Sequence, residues 1–154
     1  MKLKKMRCLE RSSTKDGNMK ISTIVEAVSL QTKLNGSAIK YPVYHGSSGV
    51  FKKFNRPPHG VFFTPHRDWA KEHYGTDIIT CYINVPKLYT LNWNKPEDST
   101  ILDMLFDRDY NGLAQQIPVL MQQGYAAMQT TSDSEMICAF PTTKIYSAKT
   151  GALM

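Results

Sequence analysis

Residues 43–47 read VYHGS, a short apolar run in which one polar residue, His45, stands between an aromatic residue and a glycine. A second run, VFF at residues 61–63, follows a loop and a glycine. A third, MICAF at residues 136–140, is opened by the acid Glu135. Short apolar runs bounded by turn residues are typical of buried strands. Because helical patterns separate them without a regular βαβ repeat, we predict an α+β fold.

Hydrophobic periodicity and turn residues predict the other elements. Thr64 has the side chain of a helix N-cap, Pro65 suits the first helical position, and Gly75 ends that helix. Phe51 and Phe54 are expected to anchor an otherwise polar loop, residues 47–58, to the core. Predicted helices are 21–34, 65–74, 101–106 and 113–123; predicted strands are 41–44, 61–63, 78–85, 88–91, 125–128 and 135–140; residues 96–100 form a turn and residues from 144 onward a terminal extension.

The composition indicates one globular domain. The chain has 154 residues, of which 42% are hydrophobic and 21% charged, as in ordinary globular proteins. No apolar run approaches the roughly 20 residues that cross a bilayer. Three widely spaced cysteines favour a reducing compartment over a disulfide framework or a cysteine zinc site. We therefore expect a cytoplasmic protein.

The basic charge lies mostly in the leading segment. Residues 1–20 carry seven basic and two acidic side chains, a net +5 of the total +6. We expect residues 1–18 to form a disordered tail, able to contact nucleic acid weakly, and residues 19–154 to form the domain. Met19 is an alternative start of the protein. The charge of the tail therefore says little about what the folded body binds.

Five short motifs follow one another along the chain: YHG at 44–46, FFT at 62–64, YG at 74–75, GYAA at 124–127 and EMICAFPTTKI at 135–145. This ordered set resembles the histidine–tyrosine–glutamate branch of the ADP-ribosyltransferase fold family, especially its small phage and bacterial members. The resemblance covers roughly residues 41–147 and implies a single domain built on a split mixed β-sheet with flanking helices. One departure is Ala126, which stands where relatives often carry an acid.

The resemblance implies an enzyme that cleaves the nicotinamide–ribose bond of NAD and transfers ADP-ribose to a macromolecular acceptor, a protein rather than a nucleic acid. Such cleavage passes through an oxocarbenium-like state, which a nearby carboxylate stabilises. Glu135 matches the family's acid, which binds the ribose 2′-hydroxyl. From the residues alone, the better interpretation of Glu135 is a solvated acid at the start of an edge strand, because most glutamates are solvated.

Three further residues match the family's NAD-binding positions. His45 would contact the adenosine ribose, the backbone of Gly46 would meet the nicotinamide amide, and Tyr74 would stack on the nicotinamide ring. The alternatives are structural: His45 as a core or turn histidine, and Tyr74 as a helix-end aromatic packed on the core.

The remaining candidates surround these positions. Thr64 would support the ribose or the acid through its hydroxyl, or serve only as an N-cap. Arg56 would bind the pyrophosphate, a role that Lys52 or Lys53 would fill as well. Asp133 would lie on the acceptor side, because side chains two positions apart on a strand, here Asp133 and Glu135, share a face.

No histidine is paired with a carboxylate at metal-ligand spacing, so no metal is predicted and NAD is a substrate. Two other functions remain open: a NAD glycohydrolase that uses the same site with water as acceptor, and an inactive phage structural or binding module. Small domains of this kind are often phage effectors that act in the host cytoplasm, which is an argument from analogy.

Overall fold

The computed structural model describes residues 30–49, 51–130 and 136–154. The described part begins with a helical turn at residues 30–33, which ends before Gly36 at a φ of +80°. The strands and helices that follow are β1 (Val43–Ser47), β2 (Val61–Phe63), α1 (Arg67–His73), β3 (Asp77–Asn84), β4 (Leu88–Thr90), α2 (Pro96–Asp107), α3 (Tyr110–Gln122), β5 (Ala127–Gln129), β6 (Ile137–Ala139) and β7 (Lys144–Ser147).

The strands form two sheets. Sheet A has the order β1-β3-β7 and is antiparallel throughout. Sheet B has the order β2-β6-β5-β4, and its β4–β5 pair is parallel. An antiparallel bridge between Tyr44 and Thr64 joins the end of β2 to β1, so it links the two sheets. The α+β class predicted from the sequence is confirmed.

Sheet B is buried on both faces because its side chains alternate between two hydrophobic clusters. Phe63 and Ala127 face the cluster that we call the inter-sheet core, whereas Met128 and Cys138 face the helix-side core. The inter-sheet core comprises Ile39, Val43, Phe54, Val61, Phe63, Cys81, Ile83, Val85, Ala127, Ile137, Ala139, Ile145 and Met154. The helix-side core comprises Leu91, Ile101, Leu102, Leu105, Leu113, Ile117, Leu120, Met128, Cys138 and Phe140.

The helix-side layer corrects one prediction. Residues 96–100 are not a turn, because they form the first turns of α2. Pro96 occupies the first helical position, where its missing N–H costs nothing, and Glu97 and Asp98 supply the negative charge that a helix N-terminus favours. The next helix, α3, also begins earlier than predicted, because the side chain of Asp109 accepts a hydrogen bond from the Gly112 N–H and caps it.

The carboxyl-terminal segment corrects a second prediction. Residues from 144 onward are not an extension, because β7 pairs with β3 at the edge of sheet A. Beyond β7, Met154 lies in the inter-sheet core, and its backbone bonds with both Ile145 and Phe54. The segment therefore completes the fold.

The strand that carries His45 also differs from its prediction. It begins at Val43 rather than residue 41 and continues through Ser47, so His45 and Gly46 lie inside the strand. The predicted tail at residues 1–18, and the predicted helix up to residue 29, fall outside the described residues. No helix in the described part of the chain is long and apolar enough to cross a membrane.

Candidate functional site

The imidazole of His45 is fixed by a backbone carbonyl. His45 lies in the middle of β1, and its Nδ1 is 2.8 Å from the carbonyl oxygen of Phe62 in the neighbouring sheet. A carbonyl oxygen can only accept a hydrogen bond, so Nδ1 carries the proton. In the neutral ring the other nitrogen, Nε2, is then an acceptor.

Three phenyl rings surround the same imidazole. The centroid of His45 is 4.9 Å from Phe54, 5.7 Å from Phe63 and 5.9 Å from Phe51, and each pair meets edge to face. Burial lowers the pKa of His45, an effect that the hydrogen bond to Phe62 opposes only in part. His45 is therefore a neutral, oriented hydrogen-bond acceptor at neutral pH.

Gly46 lets helix α1 approach β1 closely. A Cβ on Gly46 would lie 2.6 Å from the Cβ of Tyr74 and 2.8 Å from the carbonyl oxygen of Ala70, both too close for any side chain. Gly75 makes a similar approach to the backbone of Ser47, at a φ of +153° that favours glycine. The two glycines therefore seat the end of α1 directly on β1.

Tyr74 is half-buried at the end of α1, where it is the C-cap residue. Its ring meets that of Trp69 edge to face, with centroids 5.3 Å apart. Because adjacent side chains on a strand point to opposite faces, His45 faces the inter-sheet core while Gly46 faces α1. The structure thus brings Gly46 and Tyr74 together, and it sets His45 on the other face of the same strand.

Thr64 is fully buried and lies in the segment that connects β2 to α1. Its backbone exchanges two hydrogen bonds with Tyr44, and the first helical hydrogen bond of α1 runs from the Ala70 N–H to the carbonyl oxygen of His66, two residues after Thr64. The prediction of an N-cap at Thr64 is therefore wrong: His66 is the N-cap residue and α1 begins at Arg67. The Thr64 hydroxyl instead accepts a hydrogen bond from the His66 N–H at 3.2 Å, closing the turn that leads into α1.

Arg56 is tied to the protein itself. Its guanidinium donates to the carbonyl oxygen of Thr143 at 2.7 Å, and burial lowers its pKa. This bond fastens the loop that follows β1 to the segment before β7. Lys52 and Lys53, on the same loop, are exposed. Binding of the pyrophosphate by any of the three stays a prediction.

Glu135 and Asp133 lie outside the described residues. Strand β6 begins two positions after Glu135, at Ile137, which pairs with Phe63. Among the described residues, no group of three histidine, cysteine, aspartate or glutamate side chains is arranged to hold a metal ion.

Sequence reasoning missed three of the ring contacts that shape this site. Phe51 and Phe54 were expected to anchor their loop, and Phe54 does lie in the inter-sheet core, but their contact with His45 was not foreseen. Trp69 was not singled out at all. The available signal was the spacing of aromatic residues after a polar strand residue, in the run FKKF at 51–54.

The chain matches no protein-family model and no curated protein. Among solved structures, it is similar to one described as "Crystal structure of an anti-CRISPR protein", with a TM-score of 0.45 and 14% sequence identity. The match covers 71% of this chain and 96% of that chain. A likeness at this level assigns neither family nor function.

Proposed function

We propose that this protein is a NAD-dependent ADP-ribosyltransferase, with the split-sheet fold of that family, which cleaves the nicotinamide–ribose bond and transfers ADP-ribose to a macromolecular acceptor. One observation carries the proposal. Gly46 is packed against Tyr74 without room for a side chain, while the adjacent His45 is held as a neutral acceptor by the Phe62 carbonyl. These three residues stand at the positions where the resembled family carries its NAD-binding histidine, glycine and tyrosine, and the close packing of Gly46 holds Tyr74 beside β1.

The proposed role of His45 follows from its proton. Because Nδ1–H donates to Phe62, Nε2 accepts a hydrogen bond from a ribose hydroxyl. A neutral imidazole suits a hydroxyl donor, and the burial that lowers the pKa of His45 keeps it neutral during turnover. His45 therefore contributes to NAD binding and orientation rather than to proton transfer.

The nicotinamide end is assigned to Gly46 and Tyr74. The backbone of Gly46 offers hydrogen-bonding groups that no side chain obstructs, and a carboxamide needs both a donor and an acceptor. The Tyr74 ring supplies a flat surface for the nicotinamide, and its edge contact with Trp69 limits the angles that the ring adopts.

Glu135 is proposed as the acid that stabilises the reaction. Its carboxylate accepts from the ribose 2′-hydroxyl and places negative charge beside the oxocarbenium-like carbon as nicotinamide leaves with the bonding electrons. The acceptor's nucleophilic atom then forms the new bond to that carbon and loses its proton. Asp133, two positions earlier, is proposed to orient the acceptor. In the alternative function, the same site transfers ADP-ribose to water and the protein is a NAD glycohydrolase.

The test uses labelled NAD, with and without a bacterial lysate, and measures free nicotinamide and label on macromolecules. Glu135→Gln should lower the rate of NAD turnover at least about a hundredfold, which is the scale of one lost electrostatic contact in a transition state. The matched control is Glu97→Gln, which changes an exposed glutamate at the start of α2 and should keep wild-type turnover.

Each outcome separates the candidates. Label on a discrete protein band that vanishes in Glu135→Gln supports the transferase, whereas nicotinamide release without labelled macromolecules identifies a glycohydrolase. Label on nucleic acid would replace the predicted protein acceptor. If wild type turns over no NAD in either condition, the enzyme proposal fails and the inactive binding module becomes the better interpretation.

A further inference from the structure

The loop that follows β1 contributes two phenyl rings to the surroundings of His45. Phe54 is buried in the inter-sheet core, and Phe51 packs against that core from a half-buried position. The two rings also meet each other edge to face, with centroids 4.7 Å apart and planes at 84°. With the imidazole they form a cluster in which every pair is nearly perpendicular.

This arrangement restricts the imidazole more than its hydrogen bond alone would. A histidine side chain has two rotatable bonds. The single hydrogen bond from Nδ1 to the Phe62 carbonyl fixes the position of Nδ1, but it still allows the rest of the ring to swing about that nitrogen. Edge-to-face contacts at 4.5–7 Å are the favoured geometry for aromatic pairs and depend on ring orientation. Phe51 and Phe54 therefore penalise every imidazole orientation other than the one in which Nδ1–H meets the Phe62 carbonyl.

We propose that Phe51 and Phe54 are positioning residues that hold His45 with Nε2 presented as an acceptor for a hydroxyl group of the substrate. This inference rests on the proposed function, because it makes the loop at residues 51–54 part of the NAD site. It also defines the ligand chemistry at His45: a sugar hydroxyl rather than a phosphate, since a phosphate would need a protonated imidazole.

The charged groups around His45 agree with this assignment. Within residues 30–49, 51–130 and 136–154, the hydrogen-bond and ring partners of His45 are the Phe62 carbonyl and three phenyl rings, which carry no charge. The charged side chains of the loop are Lys52 and Lys53, which lie between the two phenylalanines in sequence and are exposed. Their positive charge is available to an anionic part of the ligand.

The test combines ¹⁵N NMR of the His45 ring with NAD kinetics on Phe51→Ala, Phe51→Tyr and Phe106→Ala. Phe51→Ala should raise the His45 titration midpoint toward the ordinary value of about 6.5 and populate the Nε2–H tautomer. Phe51→Tyr keeps the ring and should restore both signals. The control residue is Phe106, which lies in α2, is 62% exposed and stacks on Trp93. Phe106→Ala should change neither the titration midpoint nor the tautomer of His45.

The kinetic readout is the KM for NAD. Phe51→Ala should raise KM about three- to tenfold with little change in kcat, the range expected for one lost edge-to-face contact. An unchanged tautomer and titration midpoint in Phe51→Ala, or equal changes in Phe106→Ala, would overturn the positioning role. A changed His45 signal in a protein whose wild type turns over no NAD would instead reject the proposed function and leave the positioning contact standing.

Discussion

The two cores on either face of sheet B are built from different parts of the chain. The helix-side core draws all its members from residues 91–140, so it is formed by neighbours in sequence. The inter-sheet core draws its members from residues 39–154 and needs strand pairs between distant segments, such as β3 with β7. His45 and the rings around it belong to the inter-sheet side. The candidate site therefore depends on contacts between distant segments of the chain, whereas the helices pack on the opposite face of sheet B.

The largest expected effect comes from one phenylalanine in each core. Phe63 lies on β2 and Phe140 directly follows the neighbouring strand β6. Both are fully buried, but Phe63 faces His45 and Phe140 faces the helices. Changing either to alanine should lower the free energy of unfolding by about 3–5 kcal/mol. Urea denaturation measures this loss.

The comparison is sharpened by the NAD kinetics of the milder variants, Phe63→Leu and Phe140→Leu, which should both remain folded. Only Phe63→Leu should raise the KM for NAD, because only Phe63 contacts the imidazole. If Phe140→Leu raised KM as much at equal stability, the division between a site-bearing core and a supporting core would be wrong.

A medium effect is expected where α1 meets β1. Gly46→Ala forces a Cβ to within 2.6 Å of Tyr74, so α1 must shift, at a cost of about 1–3 kcal/mol. Gly49→Ala, three positions later, meets nothing within 4 Å and should be nearly neutral. Thermal unfolding and NAD binding of the two variants check this, and similar behaviour would show that close packing at Gly46 is not required.

The smallest effect concerns the helix-side core and is visible at high pH. The Tyr89 hydroxyl donates to the buried carboxylate of Asp98 at 2.5 Å, which, with burial, raises the pKa of Tyr89 to about 12. Because the folded-state pKa exceeds the unfolded value of about 10, this contribution is full below pH 10 and is lost as pH rises toward 12.

Tyr89→Phe should therefore cost about 1–2 kcal/mol at pH 7 and remove this alkaline step from the stability profile. Asp98 would keep its second donor, the Asn92 N–H, which limits the loss. The KM for NAD at pH 7 should not change, since Tyr89 belongs to the supporting side. A step between pH 10 and 12 that persists in the variant would assign it to another group.

Apolar runs and turn residues predicted those strands and helices whose formation depends on neighbouring residues alone. The strand at residues 61–63 is confirmed to the residue, because a fully apolar triplet between a glycine and a polar turn has few alternatives. The start of α2 was missed because Pro96 and its acidic neighbours suit both a turn and a helix N-terminus. Strand β7 was missed because its four residues are a strand only through pairing with β3.

The site shows the same limit. The sequence shows that His45 and Gly46 are neighbours, and its turn residues predicted that the helix α1 ends near Tyr74. The carbonyl of Phe62, the rings of Phe51 and Phe54 and the Thr143 partner of Arg56 were not visible, because each contact joins residues whose proximity is set by the sheets. Motifs named the candidate side chains, but only tertiary structure fixed the proton on the His45 ring.

The contacts of β7 and Met154 with the inter-sheet core have a consequence for local unfolding. The helix-side core contains no residue of 144–154, so it can stay folded when that segment detaches. The inter-sheet core cannot close until β7 pairs with β3 and Met154 receives the Phe54 N–H. Local unfolding of β7 would therefore open the surroundings of His45 while the helices stay packed, and backbone amides of sheet A would exchange with solvent before those of α2 and α3.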